Sequence, residues 1–219
     1  MKDRRELITG GVGAISEIAL GAPAEERCVR PGRGPNADYF PNVVVHTHQG
    51  QRALFYDDLL TGRTVLVHCM SIATEPVYRS VERLARVQPF LGDRRGREVF
   101  IYSLTVDPQR DTPRALRDFA ERIGVRSGWL FLTGAPTDME LLRSRLFVRG
   151  APHHHSAGPG EDCSMGLARY GNAAVGLWGS VPAQANPEWI ARRLAWVQPR
   201  ERPAGPPRRR GPGPQGAPA

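Results

Sequence analysis

Three cysteines, a run of three histidines and two nearby aspartates are the residues of this 219-residue chain whose types and spacing could do chemistry. Cys28, Cys69 and Cys163 show no CxxC or CxxxC spacing, and an odd number without a framework argues against a disulfide scaffold. His153, His154 and His155 share a Gly/Pro-rich stretch with Cys163 and Met165. Imidazole and thiolate are donors for a borderline or soft metal ion, so these histidines and Cys163 are the candidate metal ligands. A lengthened, solvated loop accounts for the same residues, and Glu161 and Asp162 beside them are ordinary loop acids. Cys69 and Met70 close an apolar run, where a lone cysteine is expected as small core filler. Cys28, set among charges, reads as a surface thiol. His46 and His48 alternate on an apparent edge strand and are expected to be exposed. Asp107 and Asp111 invite a reading as paired catalytic carboxylates. However, Asp107 before Pro108 suits a turn, and Asp111 beside a helix start favours the helix dipole.

These residues sit among elements with clear periodicity. Val43 to Val45 and Ala53 to Tyr56, joined by Gln49-Gly50-Gln51, predict an N-terminal β-hairpin. Thr64 to Cys69 and Val99 to Leu104 are short apolar runs typical of strands buried on both faces. Between them, Val77, Val81, Leu84, Ala85 and Gln88 follow helical spacing, with Arg79, Glu82, Arg83 and Arg86 opposite and Gly92 as the stop. Thr112 followed by Pro113 predicts a capped helix that presents Leu116, Phe119, Ala120 and Ile123 inward and ends at Gly124. Trp129 to Leu132 is a third strand, and Thr137 with Glu140 predicts a capping box for the helix to Phe147. Two shorter strands follow, around 167–170 and 175–178. Asn186-Pro187 then opens a last helix carrying Trp189, Ile190, Leu194 and Trp196. The order, hairpin then β, α, β, α, β, α, β, β, α, implies an α/β domain with helices on both faces of one sheet.

Hydrophobic residues make up 40% of the chain, enough for a sizeable core. No apolar run reaches the roughly 18 residues needed to span a bilayer. The net charge is +8, and residues 199–219 supply +4 of it, from five arginines and one glutamate. Eleven of those 21 residues are Pro or Gly, so this segment is expected to be a disordered basic tail. It could touch acidic or membrane surfaces. Nucleic-acid binding is not expected, because no stacking aromatics accompany Arg208, Arg209 and Arg210. At the other end, Arg4-Arg5 precedes an apolar, Gly/Ala-rich stretch to Ala24, which reads as a degenerate twin-arginine export signal, interrupted by Glu17. The expected organisation is an extension over 1–37, one domain over 38–198 and the tail over 199–219. Export to the periplasm or the outer face of the cytoplasmic membrane is expected.

Four segments carry a resemblance: YDDLLTGRTVLVH at 56–68, VDPQRDTP at 106–113, WLFLTG at 129–134 and LARYGN at 167–172. Together they resemble the SCO1/SenC family of thioredoxin-like copper chaperones across residues 38–198. The resemblance implies a thioredoxin-like central mixed sheet with flanking helices. It also implies copper as the ligand handled and a part in cytochrome c oxidase assembly, hence a protein partner among respiratory-chain or assembly components. The family site uses two cysteines spaced CxxxC at the start of the first domain helix and a histidine from a loop before the late β-hairpin. Thiolates suit Cu(I), and a helix N-terminus lowers their pKa. In this chain Thr74 and Tyr78 fall where the cysteines belong, and no cysteine lies between Met70 and Asp162. At the histidine position the chain has either Ser164 or Cys163, depending on which neighbouring segment sets the register.

Two functions follow from this reading. One is a relative of the copper-handling assembly factors without the usual CxxxC/His site, with no certain cofactor and any copper held by His153, His154, His155 and Cys163. The other is a metal-free binding or scaffolding module that keeps the fold. Thiol redox enzymology is not expected, since Thr74 and Tyr78 supply no thiolate.

Overall fold

The computed structural model describes residues 37–147 and 163–199. They build a mixed seven-stranded sheet in the order β2-β1-β5-β4-β3-β6-β7, with helices on both faces, as in thioredoxin-like domains. The strands are β1 (Val44–Thr47), β2 (Arg52–Leu54), β3 (Thr64–Met70), β4 (Val99–Thr105), β5 (Trp129–Gly134), β6 (Leu167–Asn172) and β7 (Leu177–Pro182). The helices are α1 (Glu75–Tyr78), α2 (Ser80–Ala85), α3 (Gln88–Leu91), α4 (Pro113–Ile123), α5 (Pro136–Leu146) and α6 (Pro187–Trp196). β3, β4 and β5 run parallel at the centre, while β1 and β6 lie antiparallel on either side.

Alternation along the strands divides the core in two. Val65, Val67 and Cys69 of β3 join Tyr102, Leu104 and Leu132 on the face covered by α5 and the π-helical turn Phe55–Leu60. Leu66 and Met70 join Ile101, Trp129 and Phe131 on the face covered by α2, α3, α4 and α6. All seven β3 residues are buried, as the apolar run predicts. The N-terminal hairpin forms around Gly50, whose φ of 83° suits glycine in its turn. In the β6–β7 hairpin, Gly171 faces Trp178 and Gly179 faces Tyr170, each glycine making room for a ring that a Cβ would strike.

Helix α4 starts where the sequence places it. Thr112 Oγ1 accepts from the Ala115 amide at 3.3 Å, and Gly124 closes the helix at φ 70°. Other expectations are corrected. The second hairpin strand stops at Leu54, because the chain coils at once into the turn that buries Phe55, Tyr56, Leu59 and Leu60. Helix α5 has Ala135 at its cap and no capping side chain, so Thr137 lies inside the first turn rather than at a capping box. The single helix expected from Val77 to Gln88 is three short ones, broken where Arg79 adopts a left-handed φ of 49° and again at Arg86-Val87. Val77 consequently points to solvent, 79% exposed, instead of into the core. β1 is internal, flanked by β2 and β5, so His48 just beyond it is buried, whereas His46 is exposed. His48 Nδ1 accepts from the Phe131 amide at 3.2 Å. Burial, and then the Arg117 charge, lowers its pKa.

Candidate functional site

The parallel strands β3 and β4 end side by side, with Met70 paired to Thr105, and the loops leaving them form the edge where the sequence places its candidate chemistry. The β3–α1 loop holds Thr74 and Tyr78. Thr74 is half-buried at the start of α1, and its hydroxyl donates to the Ser71 carbonyl at 3.3 Å. Tyr78, the last residue of α1, packs on the first core cluster. Between them Glu75 turns inward and is only 6% exposed. Its carboxylate accepts from the Ser80 hydroxyl at 3.0 Å and from the amides of Val81 at 2.7 Å and Glu82 at 3.2 Å. In that position it satisfies the unpaired donors at the start of α2 from outside the helix. Burial raises its pKa, and the donors oppose the rise.

The β4–α4 loop carries VDPQRDTP. Asp111 stands directly before the Thr112 cap of α4, beside the helix start as the sequence places it, and is only 3% exposed. Its carboxylate accepts from the Thr105 hydroxyl at 2.5 Å and from the Ile72 amide at 3.3 Å. It therefore ties the β3–α1 loop to the end of β4. Burial raises its pKa, and the bonds from Thr105 and Ile72 pull the other way. Asp107 makes the expected turn, its carbonyl accepting from the Arg110 and Asp111 amides. The two aspartates thus play different structural parts.

Against this edge lies a shallow cleft of about 270 Å³. Ile72, Pro76, Phe119 and Ile123 line it with apolar surface, and Arg79, Glu82 and Arg122 stand at its rim. Glu82 is held by Arg79 and Arg86, and these bonds lower its pKa.

Of the candidate metal ligands, His153, His154 and His155 lie outside the described residues. Cys163 begins the 3₁₀ turn Cys163–Gly166, which packs beside β3, so its backbone reaches the same side of the domain as the end of that strand. Cys69 is a buried core thiol, as expected. Cys69 and Met70 occupy opposite core clusters across the sheet and cannot ligate one ion. No group of three or more His, Cys, Asp or Glu side chains among the described residues could hold a metal ion.

The SCO1/SenC family model matches residues 60–165, from the end of the π-helical turn to the 3₁₀ turn Cys163–Gly166. That segment is similar to the SCO1/SenC family. Solved structures of Sco proteins share the domain's fold. The chain is 18% identical to a SCO1/SenC family lipoprotein from Bacillus anthracis, with a TM-score of 0.55 over 72% of this chain and 94% of that one. It is 18% identical to BsSco, a Sco-family cytochrome c oxidase assembly protein described with a disulfide switch, with a TM-score of 0.56 over 78% of this chain and 98% of that one. Yeast Sco1 with copper bound is 15% identical, with a TM-score of 0.53 over 70% of this chain and 84% of that one. No curated protein matches the chain.

Similarity to the SCO1/SenC family points, at family level, to copper handling and cytochrome oxidase assembly. The donors at α1 are hard oxygens, which suit soft Cu(I) poorly. Thr74, Glu75 and Tyr78 offer only oxygen, and the hydrogen bonds above commit the first two to the fold.

Sequence reasoning missed one further polar group at the centre of the domain. His68 of β3 is fully buried, and its Nε2 lies 2.6 Å from Ser103 Oγ, which also accepts from Trp129 Nε1 at 2.8 Å. Nδ1 has no partner of good geometry. Burial lowers the His68 pKa to about 4, offset only in part by the Cys69 backbone. A histidine inside an otherwise apolar strand run was the available signal. Its partners, 35 residues away on β4 and beyond on β5, were not visible in the run itself.

Proposed function

We propose that this protein is a Sco-like assembly factor that docks a protein partner at the α1 edge of its sheet and does not hold copper at that helix. The observation that carries the reading is the inward turn of Glu75 between Thr74 and Tyr78, which commits the start of α1 to the fold. What the edge offers outward is surface: Val77 stands exposed, and the adjoining cleft combines an apolar floor with Arg79 and Arg122. An apolar side chain flanked by an acidic one fits that combination. The setting is assembly of the respiratory chain at the periplasmic side, after export. The absence of a cysteine from Met70 to Asp162 supports a non-enzymatic role without disulfide reduction. Copper, where it is handled as cargo, falls to His153, His154, His155 and Cys163.

Chelator-competed Cu(I) titration of the full chain tests this reading. The unmodified chain is expected to bind weakly, and to lose that binding on Cys163→Ser or on replacing His153, His154 and His155 with alanine. Thr74→Cys with Tyr78→Cys is expected to add a chelator-resistant Cu(I) equivalent, because two thiolates then meet at a helix start. Tight copper binding by the unmodified chain that survives both loop changes would overturn the proposal.

A further inference from the structure

Helix α6 turns two tryptophans outward. It buries Ile190, Ala191 and Leu194 against the sheet and leaves Trp189 38% and Trp196 59% exposed. Arg193 lies between them, its guanidinium carbon 4.5 Å from the Trp189 ring centre and 4.2 Å from that of Trp196. Helix α3 packs beside α6 on the same face of the sheet and adds Phe90, 49% exposed. Arg94, in the 3₁₀ turn after α3, donates to Gln198 Oε1 at 3.1 Å and fixes the end of α6 against that turn. The two tryptophans and Arg193 thus share one outer face of α6, with the exposed Phe90 on the neighbouring helix. From its end the chain continues into residues 199–219, which hold five arginines, one glutamate and no large apolar side chain.

We infer that the α3–α6 surface is a peripheral contact site for an anionic phospholipid surface. Trp189 and Trp196, with Phe90 beside them on α3, would enter the headgroup layer, while Arg193 between the indoles meets a lipid phosphate. Indole suits that layer because its ring is apolar and its N–H is polar. Aromatic anchors together with a polybasic segment supply the two signals that stable attachment of a peripheral protein requires. The continuing positive charge is diffuse and lacks apolar side chains, which matches a headgroup layer better than a shaped protein pocket. The C-terminal end of α6, with Trp196, lies at the sheet edge opposite α1, where Gln198 donates to Glu98 just before β4.

Co-sedimentation of the full chain with vesicles is the test, comparing phosphatidylcholine alone with mixtures containing phosphatidylglycerol. The chain is expected to bind only the anionic vesicles and to leave them at high salt. Trp189→Ala with Trp196→Ala is expected to weaken partitioning about tenfold while thermal unfolding stays unchanged. Arg193→Glu, a second variant on the outer face, is expected to weaken it in the same direction. Three results would overturn the inference. The first is no binding to anionic vesicles, and the second is binding that survives the tryptophan changes but vanishes on truncation after Gln198. The third is self-association of the unmodified chain that the tryptophan changes abolish, which would mark an interface between copies.

Discussion

The loops leaving β3 and β4 end at the same edge of the sheet, yet their polar side chains play opposite parts. The β4–α4 loop gives support: Asp111 holds the Thr105 hydroxyl of its own strand and the Ile72 amide of its neighbour. The β3–α1 loop receives that support and turns its own acid, Glu75, onto α2. The segment that resembles the family most closely, VDPQRDTP, is therefore framework, and the segment that departs from the family's pattern is the one framework holds in place.

Asp111→Ala strikes the supporting loop and should have the largest effect. It leaves the Thr105 hydroxyl and the Ile72 amide without their acceptor in a buried setting, costing about 4 kcal/mol. The melting temperature should fall by about 10 °C; an unchanged value would mean that the two loops hold themselves independently. Below the loops, the strands are coupled by His68 and Ser103, which extends the comparison to pH. His68 stays neutral in the fold down to about 4, whereas in the unfolded chain it protonates near 6.5. Between those values the unfolded state binds more protons, so the stability present above pH 6.5 is lost as pH falls towards 4. The loss is on the order of 3 kcal/mol. Denaturant unfolding across that window should show the slope in the unmodified chain and a flatter one in His68→Leu.

In the supported loop the effects should be smaller. Glu75→Ala removes the acceptor for the first amides of α2 and should cost about 1–2 kcal/mol in chemical denaturation. A larger cost than Asp111→Ala would reverse the order of the two loops. Val77→Asp, on the exposed side of α1, should shift stability by less than about 0.5 kcal/mol. If the proposed docking is correct, it should still weaken partner capture by the folded protein, measured by surface-immobilised binding. Equal capture by both forms would remove Val77 from the docking surface.

The order of elements, the buried central strands, the Thr112-Pro113 cap, the Gly124 stop and the burial of Cys69 were all legible in the sequence. Each depends on neighbours a few residues away or on a run of one polarity. The lack of cysteines around α1 is likewise a property of the sequence alone. The left-handed turn at Arg79, which ejects Val77, was decided in three dimensions by Glu75 reaching forward to cap α2. The burial of His48 was decided by β5 pairing against β1, and the role of Asp111 by a loop 39 residues earlier that arrives beside it. The His68–Ser103–Trp129 group needs three strands in register before it exists. Periodicity reports how much of a residue faces the core. Which distant polar atom meets it there is set by strand register and loop closure, and these form only when the sheet assembles.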